Sequence, residues 1–158
     1  MKLCKPLKNP VQSVLILCAT AAFTLVSAVF AVVLREYALF FKFTSIFFLI
    51  IGFLFLLRFN FLEYVYVLSD STLTVRQLIG KRDEAVFSIE FDKETALCRG
   101  KRPLKAQNCA GGDSYRQNLS AVCAYIIYKK NGQKLYMEFE PNEAFYSMVE
   151  DAIKDAKS

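Results

Sequence analysis

The segment from Val11 to Leu34, VQSVLILCATAAFTLVSAVFAVVL, runs for 24 residues without a charge. At about 1.5 Å per residue such a helix is long enough to cross a hydrocarbon core about 30 Å thick. A second run, Ala38 to Leu57 (ALFFKFTSIFFLIIGFLFLL), follows at once and carries one charge, Lys42, near its start. A lysine there reaches the headgroups with its amine while its stem stays in lipid. Neither run offers a polar face, which argues against two buried helices of a soluble core. The link between them is Arg35–Tyr37, and so short a link predicts an antiparallel helical hairpin. The chain divides accordingly into a basic tail (1–10), a transmembrane hairpin (11–58, with spans over 11–34 and 38–57) and a soluble domain (59–158).

A secretory leader is the rival reading of the first run. Lys2, Lys5 and Lys8 would be its basic end and Val26–Ala28 its cleavage site. The apolar run exceeds the length of about 7–15 residues usual for such leaders and continues past that site, which favours a membrane span. A lipid attachment at Cys18 is disfavoured by Leu17, which stands where a small residue is needed.

Charge sets the expected orientation. Of the net +5, residues 1–57 contribute +4, and the soluble part is nearly neutral. Lys2, Lys5 and Lys8 precede the first span and Arg58 follows the second, while in the connecting turn Glu36 offsets Arg35. Basic residues favour the cytoplasmic side, so both termini are expected there, in a multi-pass protein of the cell membrane. The five cysteines (4, 18, 98, 109 and 123) have irregular spacing and form no C-x-x-C pair, which fits reduced thiols better than a disulfide framework or a structural zinc site. Histidine is absent, which removes His-based triads, bases and metal ligands. A near-neutral soluble part is a poor electrostatic match for nucleic acid.

From Phe61 the hydrophobic period changes to two. FLEYVYVL places Leu62, Tyr64, Tyr66 and Leu68 on one face. After a turn at Ser69–Ser71, TLTVRQLI does the same with Leu73, Val75, Gln77 and Ile79. GKRDE reads as the next turn, and AVFSIEF then alternates Ala85, Phe87, Ile89 and Phe91. TALCRG is a shorter strand, and SYRQNL (114–119) reads as a possible fifth. AVCAYIIYK and QKLYMEFE form a hairpin across Asn131-Gly132, the dipeptide preferred where two successive residues need positive φ. Phe145, Met148, Val149, Ala152 and Ile153 then fall on one stripe at the helical period, with Asn142 as a candidate N-cap and Pro141 suited to the first turn. About seven antiparallel strands and a terminal amphipathic helix predict a mostly-β, small α+β barrel closed at one end by the helix.

The succession from YVYVLSDSTLTVRQLIG to FEPNEAFYSMVEDAI, with Phe139, Pro141 and Phe145 spaced F-x-P-x-x-x-F, resembles the bacterial pleckstrin-homology-like (PH-like) domains that follow paired transmembrane helices. The resemblance covers residues 37–158. It implies a membrane location and a fold that serves as a binding and scaffolding platform, without catalytic residues or a cofactor. The first turn, SDS, is acidic and short, unlike the basic first hairpins of inositide-binding relatives, so no lipid-binding residues carry over.

The densest basic patch is RGKRPLK: Arg99, Lys101, Arg102 and Lys105, with Arg116 nearby. On anionic headgroups each is worth about 1 kcal/mol. Cys109, beside Gly111-Gly112, is the one thiol in a setting that invites a nucleophile reading, though a reactive thiolate needs a cation or base to lower its pKa. Glu90, Asp92 and Glu94 alternate and so share one side of an extended chain, where they could hold a hard cation. Tyr64 and Tyr66 are candidates for interfacial anchors or for core packing. The expected function is a non-enzymatic binding or scaffolding module, with the lipid bilayer and a protein partner or a second copy as its partners. The alternatives are a subunit of a larger transport or secretion assembly and a thiol-dependent enzyme using Cys109.

Overall fold

The computed structural model describes residues 1–100 and 108–157. They form two compact units, Asn9–Leu62 and Met1–Lys8 together with Glu63–Ser158.

The first unit is the helical hairpin. Helix α1 spans Pro10–Val33 and α2 spans Ala38–Phe61, joined by a 3-10 turn at Arg35–Tyr37. Asn9 caps α1 by accepting a hydrogen bond from the Val11 amide, and Pro10, which has no amide hydrogen to satisfy, takes the first helical position. The helices meet through stacked rings, Phe23 on Phe48 and Phe30 on Phe41, with centroids 5.1 and 5.4 Å apart. Gly52 lies against Thr20 so closely that a Cβ there would collide with the threonine side chain. The hydroxyls of Thr20 and Thr44 donate to carbonyls one turn back, and Ser13 donates to Asn60 across the hairpin. These hydroxyls thus find partners inside the pair, whereas the buried Thr24 hydroxyl has none among the described residues. Both helices are long and apolar enough to cross a membrane. Phe40, Phe43, Ile46, Phe47 and Ile50 are each more than half exposed on the outside of α2.

The second unit contains two four-stranded sheets. One has the order β1-β2-β3-β4, from Lys2–Cys4, Leu62–Ser69, Thr72–Ile79 and Arg82–Glu90. The other comprises β5 (Ala96–Arg99), β6 (Gly111–Ser114), β7 (Ala124–Lys130) and β8 (Gln133–Phe139), in the order β5-β7-β8-β6. Helix α3, Glu143–Asp155, closes the chain. The inner faces meet ring to ring: Tyr66 on Phe139 at 5.4 Å, and Phe87 on Tyr115 and on Tyr128, each at 5.6 Å.

The alternation predicted the buried faces of β2 and β3 in part: Ile79 is 47% exposed, and Val67, on the opposite face, is buried. Tyr64, Tyr66, Leu68, Leu73 and Val75 are buried, as are Ile89 and Phe91 at the end of the next strand. Tyr64 and Tyr66 are therefore core residues rather than interfacial anchors. Asn131 and Gly132 adopt φ of 52° and 80°, as the hairpin required. In α3, Asn142 is the N-cap, accepting from the Phe145 amide at 2.8 Å, and Pro141 lies just ahead of it. Phe145, Val149 and Ile153 are buried.

Four expectations need correction. The strands form no closed barrel among the described residues: the two ladders stay separate, and a turn at Asp92–Thr95, closed by the Thr95 hydroxyl on Asp92 at 2.7 Å, parts β4 from β5. The tail is not simply a basic leader to the membrane, because Lys2–Cys4 pairs antiparallel with Tyr66–Leu68. The strand expected at 114–119 lies earlier, at Gly111–Ser114, and runs parallel to β8. Gly112 makes that approach possible, since a Cβ would strike the Tyr136 backbone and ring. Finally, β4 starts at Arg82, so the preceding turn is just Gly80-Lys81, and a bulge opposite Val75/Arg76 adjusts the register.

Candidate functional site

The outer face of the second sheet carries a polar row. Register places Tyr125 of β7 opposite Glu138 of β8, Ser114 of β6 beside Glu138, and Cys98 of β5 opposite Tyr125. The Ser114 hydroxyl donates to Glu138 Oε2 at 2.7 Å and the Tyr125 hydroxyl to Oε1 at 2.9 Å. Arg116, just beyond β6, brings Nη1 to 3.6 Å from the same Oε1. The segment 119–123 folds over this row and leaves a cleft of about 460 Å³ bounded by Gly100, Arg116, Tyr125 and Glu138.

Electrostatics fix the protonation of its floor. Burial opposes ionisation of Glu138, but hydrogen bonds from Ser114 and Tyr125 and the Arg116 charge outweigh it and hold the carboxyl below its ordinary range. Burial, reinforced by the Glu138 charge, pushes the Cys123 thiol up to about 11. Burial and the hydrogen bond to Glu138 raise the Tyr125 phenol to about 12. At neutral pH the floor is thus a carboxylate and a guanidinium beside a neutral thiol and a neutral phenol. Its rim is apolar: Leu119 and Val122 are 43% and 60% exposed. The thiol is protonated, and the carboxylate already accepts two hydrogen bonds.

Behind the cleft a second carboxylate organises the loop. Glu140 accepts from the Gln117 and Asn118 amides, at 3.2 and 2.9 Å, and from Asn118 Nδ2 at 2.7 Å. Asn118 Nδ2 also donates to the Leu7 carbonyl at 2.8 Å, and Gln117 Oε1 accepts from the Tyr64 amide at 3.2 Å. The Tyr66 hydroxyl donates to the Tyr115 carbonyl at 2.7 Å and accepts from the Glu140 amide at 3.1 Å, which ties the two sheets together within the core.

Two residues of the basic patch are described, and each is paired with an acid. Arg99 makes a two-pronged ion pair with Glu143 at the start of α3 and lies 5.3 Å from the Tyr146 ring centroid. Arg116 faces Glu138. Lys101, Arg102 and Lys105 lie outside the described residues. Cys109 sits half-buried in the turn before β6, and nearby Gly112 has a packing reason in Tyr136. Glu90, Asp92 and Glu94 are not gathered: Asp92 caps its own turn and Glu94 pairs with Lys129 at 3.3 Å. Among the described residues no cluster of three or more metal-ligating side chains occurs.

Glu138 and Tyr125 escaped the sequence reading, although a signal existed. A two-residue turn at Asn131-Gly132 fixes the hairpin register, and that register sets Tyr125 opposite Glu138. Ser114 and Arg116 gave no such signal, since the parallel pairing of β6 is non-local. No protein-family model matches the chain, and no curated protein or solved structure is significantly similar to it.

Proposed function

We propose that this chain is a membrane-anchored, non-enzymatic binding module. In this reading the hairpin spans the membrane twice and both termini are cytoplasmic. The remaining residues form a PH-like domain whose Arg116/Glu138 cleft receives a protein partner or a second copy. One observation carries it: both ends of the hairpin run into a single folded unit. Lys5 and Lys8, just before α1, pair at 2.5 and 2.9 Å with Glu63, just after α2. The basic residues that govern orientation therefore belong to the same unit as the cleft. Two facing sheets with a terminal helix docked through Phe145 support the PH-like assignment. The engaged carboxylate and protonated thiol of the cleft favour binding over chemistry.

Two measurements test it. Reporter fusions at Lys8 and Ser158 should both report the cytoplasm; an external signal from the C-terminal fusion overturns the topology. A photo-crosslinker in place of Ser120, on the cleft wall, should yield a discrete protein adduct in native membranes, weakened by Glu138→Gln. Lack of any protein adduct overturns the binding role.

A further inference from the structure

We propose that the loop Leu119–Val122, together with Leu7, dips into the headgroup zone of the bilayer, so that the cleft opens at the membrane surface. This rests on the membrane reading above and adds a lipid-contact site to it. Isolated exposed apolar side chains are ordinary. Here, however, the apolar residues adjoin a built junction. Leu7 is 89% exposed, while its carbonyl is held by Asn118, a buried side chain itself fixed by Glu140. Leu119 follows Asn118 directly, and Val122 lines the same cleft.

Covalent geometry supplies the partner. Leu7 precedes the first residue of α1, Pro10, by three positions, and three residues of chain extend about 10 Å at most. The headgroup zone on each side of a bilayer is about 5–8 Å deep. A loop hydrogen-bonded to Leu7 is thus leashed to a segment that enters lipid. Its exposed Leu and Val side chains suit the boundary between headgroups and acyl chains. Among the described residues, Lys5 and Lys8 are engaged by Glu63, and Arg116 by Glu138. Apolar insertion rather than charge should then hold the loop, which predicts insensitivity to salt.

The chain contains no tryptophan, so a single one is an unambiguous reporter. Leu119→Trp and Val122→Trp, each in the full chain, would be placed in phosphatidylcholine vesicles with and without bromine on the upper acyl chain. Emission should fall about twofold in the brominated lipid, equally at low and high salt. Phe47→Trp, on the exposed face of α2, reports the span itself. If Phe47→Trp is not quenched, the membrane reading fails. If it is quenched while both loop reporters are not, this inference alone is overturned. Iodide would then tell a loop in water, which it quenches, from one covered by protein, which it does not. Quenching that salt abolishes would also overturn it, since charge would then be the cause.

Discussion

Each of the two units is stabilised internally by different physics. In the hairpin the contacts are stacked phenylalanines and one close approach at Gly52, and each hydroxyl bond there spans a single turn or a single helix pair. In the sheet unit the apolar faces meet over polar nodes: the Tyr66 hydroxyl between the sheets, and Glu140 beneath the loop. In the proposed membrane setting, lipid would remove the hydrophobic drive between the helices and leave shape to decide their association. Water supplies that drive to the sheets, and the buried polar groups then need specified partners.

The largest effect should come from removing the apolar plug of the sheet unit. Phe145→Ala empties a site against Tyr66, whose ring centroid is 6.4 Å away, and should cost about 3–5 kcal/mol. Urea unfolding of the full chain in detergent, followed by tyrosine near-ultraviolet dichroism, measures it. A loss under about 1 kcal/mol would mean that the helix contributes little to this core.

Tyr66→Phe keeps the ring and deletes the node. It leaves the Tyr115 carbonyl and the Glu140 amide without their partner and should cost about 1–3 kcal/mol. The same unfolding experiment reads it; a neutral result would show that packing alone joins the sheets. The hairpin counterpart is Gly52→Ala, which overpacks the contact with Thr20 and should cost about 1–3 kcal/mol of hairpin stability. Thr20→Ala in the same chain should recover part of it. Thermal loss of helicity in micelles tests the pair, and an unchanged melt for Gly52→Ala would remove shape as the organising principle there.

The smallest effect belongs to the tail. Hydrogen bonds from Lys5 and then Lys8 hold the Glu63 carboxyl below its ordinary range. A folded pKa below the unfolded one means stability that is present above the unfolded value, about 4.3, and is lost as pH falls through the folded one. Glu63→Gln should therefore loosen β1 at neutral pH by no more than about 1 kcal/mol and have no effect in acid. Hydrogen exchange at Leu3 and Cys4 is the readout. Equal exchange of variant and parent at pH 7 would assign the attachment of β1 to its ladder with β2 alone.

Much of this molecule was legible because its signals are local. The uncharged runs specify two long helices, the Asn131-Gly132 turn specifies a register, and the 3.6-residue stripe specifies which side of α3 is buried. What stayed hidden involves partners far apart in the chain. β1 finds β2 across the whole hairpin, from Leu3 to Val67. β6 takes a parallel place beside β8 because Gly112 fits against Tyr136, a fact invisible without Tyr136 in position.

The sequence by itself determined the elements: two membrane-length helices, most of the strands with their buried faces, and a capped terminal helix. Periodicity and turn chemistry act over a few residues and need no partner to operate. The tertiary structure alone decided that the strands make two facing sheets rather than a barrel, that the tail joins one of them, and that Ser114, Arg116, Tyr125 and Glu138 share a cleft. These outcomes depend on which edges and faces come together when apolar surface is buried, and period-two alternation reads the same for every such arrangement.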